Sequence, residues 1–94
     1  MAKYTLSETA RSDLKSIYRF GFEKFGEQQA EKYYSGLISC FDEIAKNPLQ
    51  FQRVPELGDY RRCVFVSDCI YFRVANDRVE IMAIVGRQDV QRRL

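Results

Sequence analysis

Arg61-Arg62-Cys63-Val64-Phe65-Val66-Ser67-Asp68-Cys69-Ile70-Tyr71-Phe72-Arg73-Val74-Ala75-Asn76-Asp77-Arg78-Val79-Glu80-Ile81-Met82-Ala83-Ile84-Val85 is the stretch on which the fold of this chain turns. β-Branched and aromatic residues dominate it, and the polar pairs Ser67-Asp68 and Asn76-Asp77 interrupt it. The pattern predicts strands over 60–66, 69–75 and 78–85, joined by two short turns. Turns of that length fix the register of a hairpin, and side chains then alternate between the two faces. In this register Cys63, Phe72 and Ile81 share a row, followed by Phe65, Ile70 and Ala83, with Val74 and Val79 extending the same face. The opposite face carries the rows Val64-Tyr71-Met82 and Val66-Cys69-Ile84, beside a row of Arg62-Arg73-Glu80. A small domain needs one apolar sheet face for its core. A second one, bordered by arginine, points to a protein partner.

Upstream of the strands the periodicity changes. Lys3-Tyr4-Thr5-Leu6 alternates and reads as a short strand. Ser7 is placed to cap a following helix, with Glu8 at the positive end of its dipole. Ala10, Leu14, Ile17, Gly21 and Phe25 recur at helical spacing, and Tyr18 and Phe22 widen the stripe. Gly26 falls where a helix C-terminus accepts a left-handed residue. A second helix follows from about Glu27, with Ala30, Tyr34, Leu37, Ile38, Phe41, Ile44 and Ala45 on one face. Asn47-Pro48 ends it. The aromatic set Tyr18, Phe22, Phe25, Tyr33, Tyr34 and Phe41 reads mainly as core. Residues 48–59 read as an irregular connection pinned by Phe51, Val54 and Leu57. The order strand, helix, helix, strand, strand, strand predicts a two-layer α+β domain, a βααβββ chain with the helical hairpin on one face of a largely antiparallel sheet.

Composition narrows the class. Ninety-four residues make one domain (1–94), with a basic C-terminal tail at about 87–94. The hydrophobic fraction of 46% supports a core and argues against disorder. No apolar run approaches the ~20 residues of a membrane span, and the N-terminal residues lack the apolar stretch of a secretory signal, so the expected location is cytoplasmic. The three cysteines show no C-x-x-C spacing and read as reduced, buried or half-buried thiols. Net charge is only +2, yet all five lysines lie in residues 1–50 and eight of the ten arginines in 51–94. Arginine's planar fork suits carboxylates and phosphates, which makes the second half the expected contact surface. No glycine-rich phosphate loop, metal-ligand cluster or Ser/His/Asp set is present, and no cofactor or metal is expected.

The order of these elements, together with Leu6-Ser7, Ala10, Asp13-Leu14, Ile17, Phe25-Gly26-Glu27, Ala30, Tyr34, Phe41, Asn47-Pro48, Tyr60-Arg61-Arg62, Ile70-Tyr71-Phe72-Arg73 and Ile84-Val85-Gly86-Arg87-Gln88-Asp89, resembles the ParE/RelE toxin superfamily, within it the ParE branch. The resemblance covers residues 3–90. It implies a βααβββ fold, a cognate ParD-like antitoxin and one of two targets: DNA gyrase, as for ParE-like members, or mRNA in the ribosome, as for RelE-like members. It implies neither membrane association nor direct sequence-specific DNA binding by the toxin. Many relatives carry histidine after the Arg61-Arg62 strand and near the end of the last strand. This chain has Asp68 and Val85 or Gly86 there, and no histidine at all.

Ribonucleolytic cleavage needs a proton acceptor, a proton donor and cations around the phosphate. Without histidine, the substitute set is Arg62, Arg73 and Arg87, with Tyr71 or Glu80 moving protons. The ordinary reading of Arg73 and Glu80 is an exposed cross-strand ion pair. The favoured reading is therefore a non-enzymatic toxin that inhibits gyrase, the alternatives being an mRNA endonuclease and an antitoxin-binding domain without toxicity. The outer sheet face, Arg62, Val64, Val66, Cys69, Tyr71, Arg73, Met82 and Ile84, is the expected antitoxin site. Arg61, Arg87, Asp89, Arg92 and Arg93 are the expected target contacts.

Overall fold

The computed structural model describes residues 3–86, so the expectations for Arg87, Asp89, Arg92, Arg93 and the basic tail lie outside the described residues. Strand β1 (Tyr4–Leu6) leads into α1 (Glu8–Phe25) and α2 (Glu27–Lys46). A 3-10 turn (Pro48–Gln50), a two-residue strand β2 (Gln52–Arg53) and a second 3-10 turn (Pro55–Leu57) precede the strands β3 (Arg61–Phe65), β4 (Asp68–Ala75) and β5 (Arg78–Gly86). The sheet runs β1-β5-β4-β3-β2, antiparallel except for the parallel β1–β5 pair. The expected α+β architecture is the observed one, with β2 added inside the connection.

Local chemistry explains the breaks. The Ser7 side chain accepts from the Ala10 N–H at 3.0 Å and so satisfies one free donor of α1. Gly26, at φ 91, turns the chain between the helices, and its own N–H bonds to Phe22 O at 3.0 Å. Leu14, Leu37, Phe41 and Ile44 from the helices meet Cys63, Ile70, Phe72, Val79, Ile81 and Ile84 from the sheet, and this is the core.

Two departures from the expected register matter. The β3–β4 turn is Val66-Ser67, not Ser67-Asp68, because Phe65 pairs with Asp68. Asp68 is drawn into the ladder and buried, its carboxylate accepting the Tyr33 hydroxyl from α2. The slide moves Cys63 from opposite Phe72 to opposite Ile70 and Val64 from opposite Tyr71 to opposite Cys69, and it keeps every β3 side chain on its face. Val66 consequently takes the left-handed region at φ 54.

The second departure changes faces. Phe72↔Ile81, Arg73↔Glu80 and Val74↔Val79 pair as expected, but the next pair is Tyr71↔Ala83, leaving Met82 as an extra residue on β5. Beyond such a bulge the alternation inverts. Ile84 therefore turns inward and joins the helical core, whereas Ala83 and Val85 turn outward, the reverse of the expected rows.

Candidate partner-binding face

The expected docking site on the outer sheet face is largely closed by the chain itself. Val54, Leu57 and Tyr60 pack on Cys69, Tyr71, Ala83 and Val85. The covering loop is held by Val54 N–H to Tyr60 O and Leu57 N–H to Val54 O, both at 2.9 Å. Tyr71 is only 3% exposed and Cys69 is buried with it. Ile84 lies on the other side of the sheet, for the reason given above. Of the eight residues expected there, Val64 and Val66 are exposed, and Arg62 and Met82 are half-buried. Arg73 donates through Nε to Glu80 Oε1 at 2.6 Å, and that hydrogen bond holds the guanidinium above its ordinary pKa. The outer face is thus a small second core with an exposed remnant at the β3 end. Pattern alone could not separate these outcomes, because the apolar residues of 48–59 show no periodicity.

The same geometry bears on the nuclease constellation. Buried Tyr71 faces Val54, Leu57 and Tyr60, not an open cleft, and Arg73 and Glu80 are engaged with each other. Arg62 stands opposite Tyr71 across the ladder, and Arg87 lies outside the described residues. Arg61, expected to contact a target, uses Nη1 to donate to Phe51 O at 2.8 Å. That bond fastens the connection where the Phe51 ring meets Phe72 edge-on, with centroids 5.8 Å apart. Among the described residues no group of three or more Cys, Asp or Glu side chains could hold a metal ion.

The surface that stands open is on the helices. Leu14, Tyr18 and Phe22 recur every fourth residue and form one row on α1. Arg11, Lys15 and Arg19 form a second row at the same spacing. Both rows, with Tyr34 of α2 and the β1 residues Tyr4, Thr5 and Leu6, line one groove of about 1420 Å³. Tyr18 stands edge-on to Tyr34 at 5.9 Å and lies 6.3 Å from Phe22. Phe22 is 49% and Tyr34 39% exposed. The expectation that Tyr18, Phe22, Phe25, Tyr33, Tyr34 and Phe41 are mainly core holds fully for Phe41 alone. Tyr18 and Tyr33 are half-buried, and Phe22, Phe25 and Tyr34 are exposed. The physical reason is that each helix has one sheet-facing stripe. Ala10-Leu14-Ile17 fills it on α1, and the aromatics fall on the flank. The signal in the sequence was the adjacency of an aromatic row and a cationic row.

A groove with aromatic walls, on whose rim Arg11, Lys15 and Arg19 outnumber Glu23 and Glu31, has the chemistry of a protein-docking surface. The chain matches, over residues 4–90, the family described as "ParE toxin of type II toxin-antitoxin system, parDE". It belongs to that family: it is a ParE toxin of a type II toxin–antitoxin system. It is 34% identical over 86 residues to Toxin ParE1 of Caulobacter vibrioides, covering 90% of this chain and 88% of that one. With Toxin ParE1 of Mycobacterium tuberculosis it shares 28% identity over 96 residues, covering 99% and 98%. Its fold is similar to a chain of a chromosomal ParDE toxin–antitoxin system from P. aeruginosa, with a TM-score of 0.81, 20% identity and coverage of 92% and 96%. It also resembles the solution structure of HP0894 from Helicobacter pylori, with a TM-score of 0.56, 17% identity and coverage of 94% and 97%.

Proposed function

We propose that this ParE toxin inhibits DNA gyrase and is neutralised by a ParD-like antitoxin whose flexible segment orders in the groove between α1, α2 and β1. The observation that carries the docking assignment is the pair of exposed rings Phe22 and Tyr34, with half-buried Tyr18 between them, beside Arg11, Lys15 and Arg19. Apolar side chains supply burial to an amphipathic segment, and the cations favour one with acidic residues on its flank. Family membership supports the partner. The gyrase assignment is supported by the lack of histidine and by the burial of Tyr71, both unfavourable to ribonuclease chemistry. Target contact is assigned to Arg61 and to the segment bearing Arg87, Asp89, Arg92 and Arg93.

Purified components test both halves. Gyrase treated with the chain is expected to lose supercoiling activity and to trap cleaved DNA. Cleavage of mRNA at the ribosomal A site would instead establish the endonuclease reading, and inertness in both assays would establish a non-toxic antitoxin-binding domain. For the antitoxin, calorimetry with Phe22→Asp combined with Tyr34→Asp is expected to show affinity reduced by about 100-fold or more, as for central aromatic anchors elsewhere. Undiminished binding in that variant, with loss in Val64→Asp or Arg62→Ala, would move the docking site to the remnant of the outer sheet face.

A further inference from the structure

Gly36 lets α2 come close to β3, because a Cβ there would overlap the Phe65 ring. Cys40 lies one helical turn further along α2, and Cys63 lies one step back along the same face of β3. Four helical residues advance about 6 Å and two strand residues about 6.6 Å, so the two steps keep pace and the close approach carries over to the cysteines. Their thiols meet at the edge of the core, in hydrogen-bonding contact with each other. Both are free, Cys63 buried and Cys40 half-buried. Cys69 is on the other face of the sheet, beneath the covering loop.

We propose that Cys40 and Cys63 are a peroxide-sensitive dithiol that closes to a disulfide between α2 and β3. The more open Cys40 meets the oxidant first. Its sulfur attacks hydrogen peroxide, the O–O bond breaks, and the products are the Cys40 sulfenic acid and one water. The Cys63 sulfur then attacks the Cys40 sulfur, the S–O bond breaks, and the hydroxyl leaves with the Cys63 proton as a second water. Two thiols lose two electrons, and the peroxide gains them. Burial keeps both thiols protonated at neutral pH, so the reaction is slow there and quickens as pH rises. The bond closes a loop over residues 40–63, which holds the end of α2, both 3-10 turns and β2, and so restricts the unfolded chain. Neither cysteine lines the groove on α1, so the inference does not depend on the docking assignment.

Mass spectrometry of the intact chain, treated with hydrogen peroxide and then digested, tests it. The parent is expected to lose the mass of two hydrogen atoms, to yield a peptide joining Cys40 to Cys63, and to regain its mass with dithiothreitol. Cys69→Ser should behave as the parent does, and Cys40→Ser should not lose the mass. The oxidised chain should melt above the reduced one, by about 5 °C or more. Sulfinic acid at Cys40 beside a free Cys63 thiol would overturn the proposal, as would a chain that stays reduced from pH 7 to pH 9. A bridge to Cys69 or between two copies would overturn it too. So would an oxidised form that melts no higher, because the bond would then form only by distorting the fold.

Discussion

Asp13 Oδ2 accepts the backbone N–H of Ile84 at 3.0 Å in the protein interior, across 71 residues of sequence. Two positions earlier on β5, Met82 O accepts the Ser7 hydroxyl at 2.8 Å. Side chains from the start of α1 thus satisfy the backbone on both sides of the bulge, where the ladder cannot. The bulge in turn sets which of Ala83, Ile84 and Val85 meet the helices.

Asp13→Ala should therefore leave the Ile84 N–H buried without its acceptor. Unfolding in urea is expected to show a loss of about 1–3 kcal/mol. Asp13→Asn keeps a carbonyl oxygen in place and should lose clearly less. Equal stability of the alanine variant and the parent would mean that the bulge stands without this contact.

The two helix-interior glycines should respond in opposite directions to alanine. At Gly36 a Cβ would stand 2.4 Å from Phe65 Cζ, and that ring packs against Tyr33 with centroids 5.0 Å apart. Overpacking of this kind costs about 1–3 kcal/mol, more than the gain of about 1 kcal/mol in helix propensity. At Gly21 the new Cβ would sit 3.6 Å from Ala30, an ordinary contact, so Gly21→Ala should stabilise by about 0.5–1 kcal/mol. Thermal melts should place Gly36→Ala below the parent and Gly21→Ala above it, by roughly 4–8 °C per kcal/mol for a domain of this length.

Stability should decline on the alkaline side. Burial, with the hydrogen bond to Asp68 next, pushes Tyr33 from 10.0 up to about 12. Burial pushes the Cys63 thiol from 9.0 up to about 11, and Cys40, in contact with it, moves the same way. In each case the folded chain retains a proton that the unfolded chain releases. The contribution is therefore complete below about pH 9 and is lost as pH rises through the folded values. Denaturant midpoints at pH 8, 10 and 11.5 should fall in sequence, and Tyr33→Phe should flatten the upper part of the curve. A midpoint that stays level to pH 11.5 would contradict this assignment.

How much of this was legible beforehand depends on the range of the interaction concerned. Ser7, Gly26 and Asn47-Pro48 act on their own neighbours, and they mark the helix ends where the structure has them. The pairs Phe72↔Ile81 and Val74↔Val79 follow from the Asn76-Asp77 turn, a few residues away, although Val74, expected to extend the core face, is 42% exposed. The site was less legible. Tyr71 was expected outside for a partner, and Tyr34 was placed on the core-facing stripe of α2. The structure buries the first under Tyr60, Leu57 and Val54 and exposes the second.

Sequence by itself determined the βααβββ order, the main core between helices and sheet and the family, because helical and strand periods, caps and turns are properties of contiguous residues. Only the tertiary structure decided the register beyond the bulge, the face of Ile84 and the closing of the outer sheet. Those depend on Asp13 reaching Ile84, Tyr33 reaching Asp68, and Val54 and Leu57 folding over Tyr71, contacts between distant residues that leave no periodic trace along the chain.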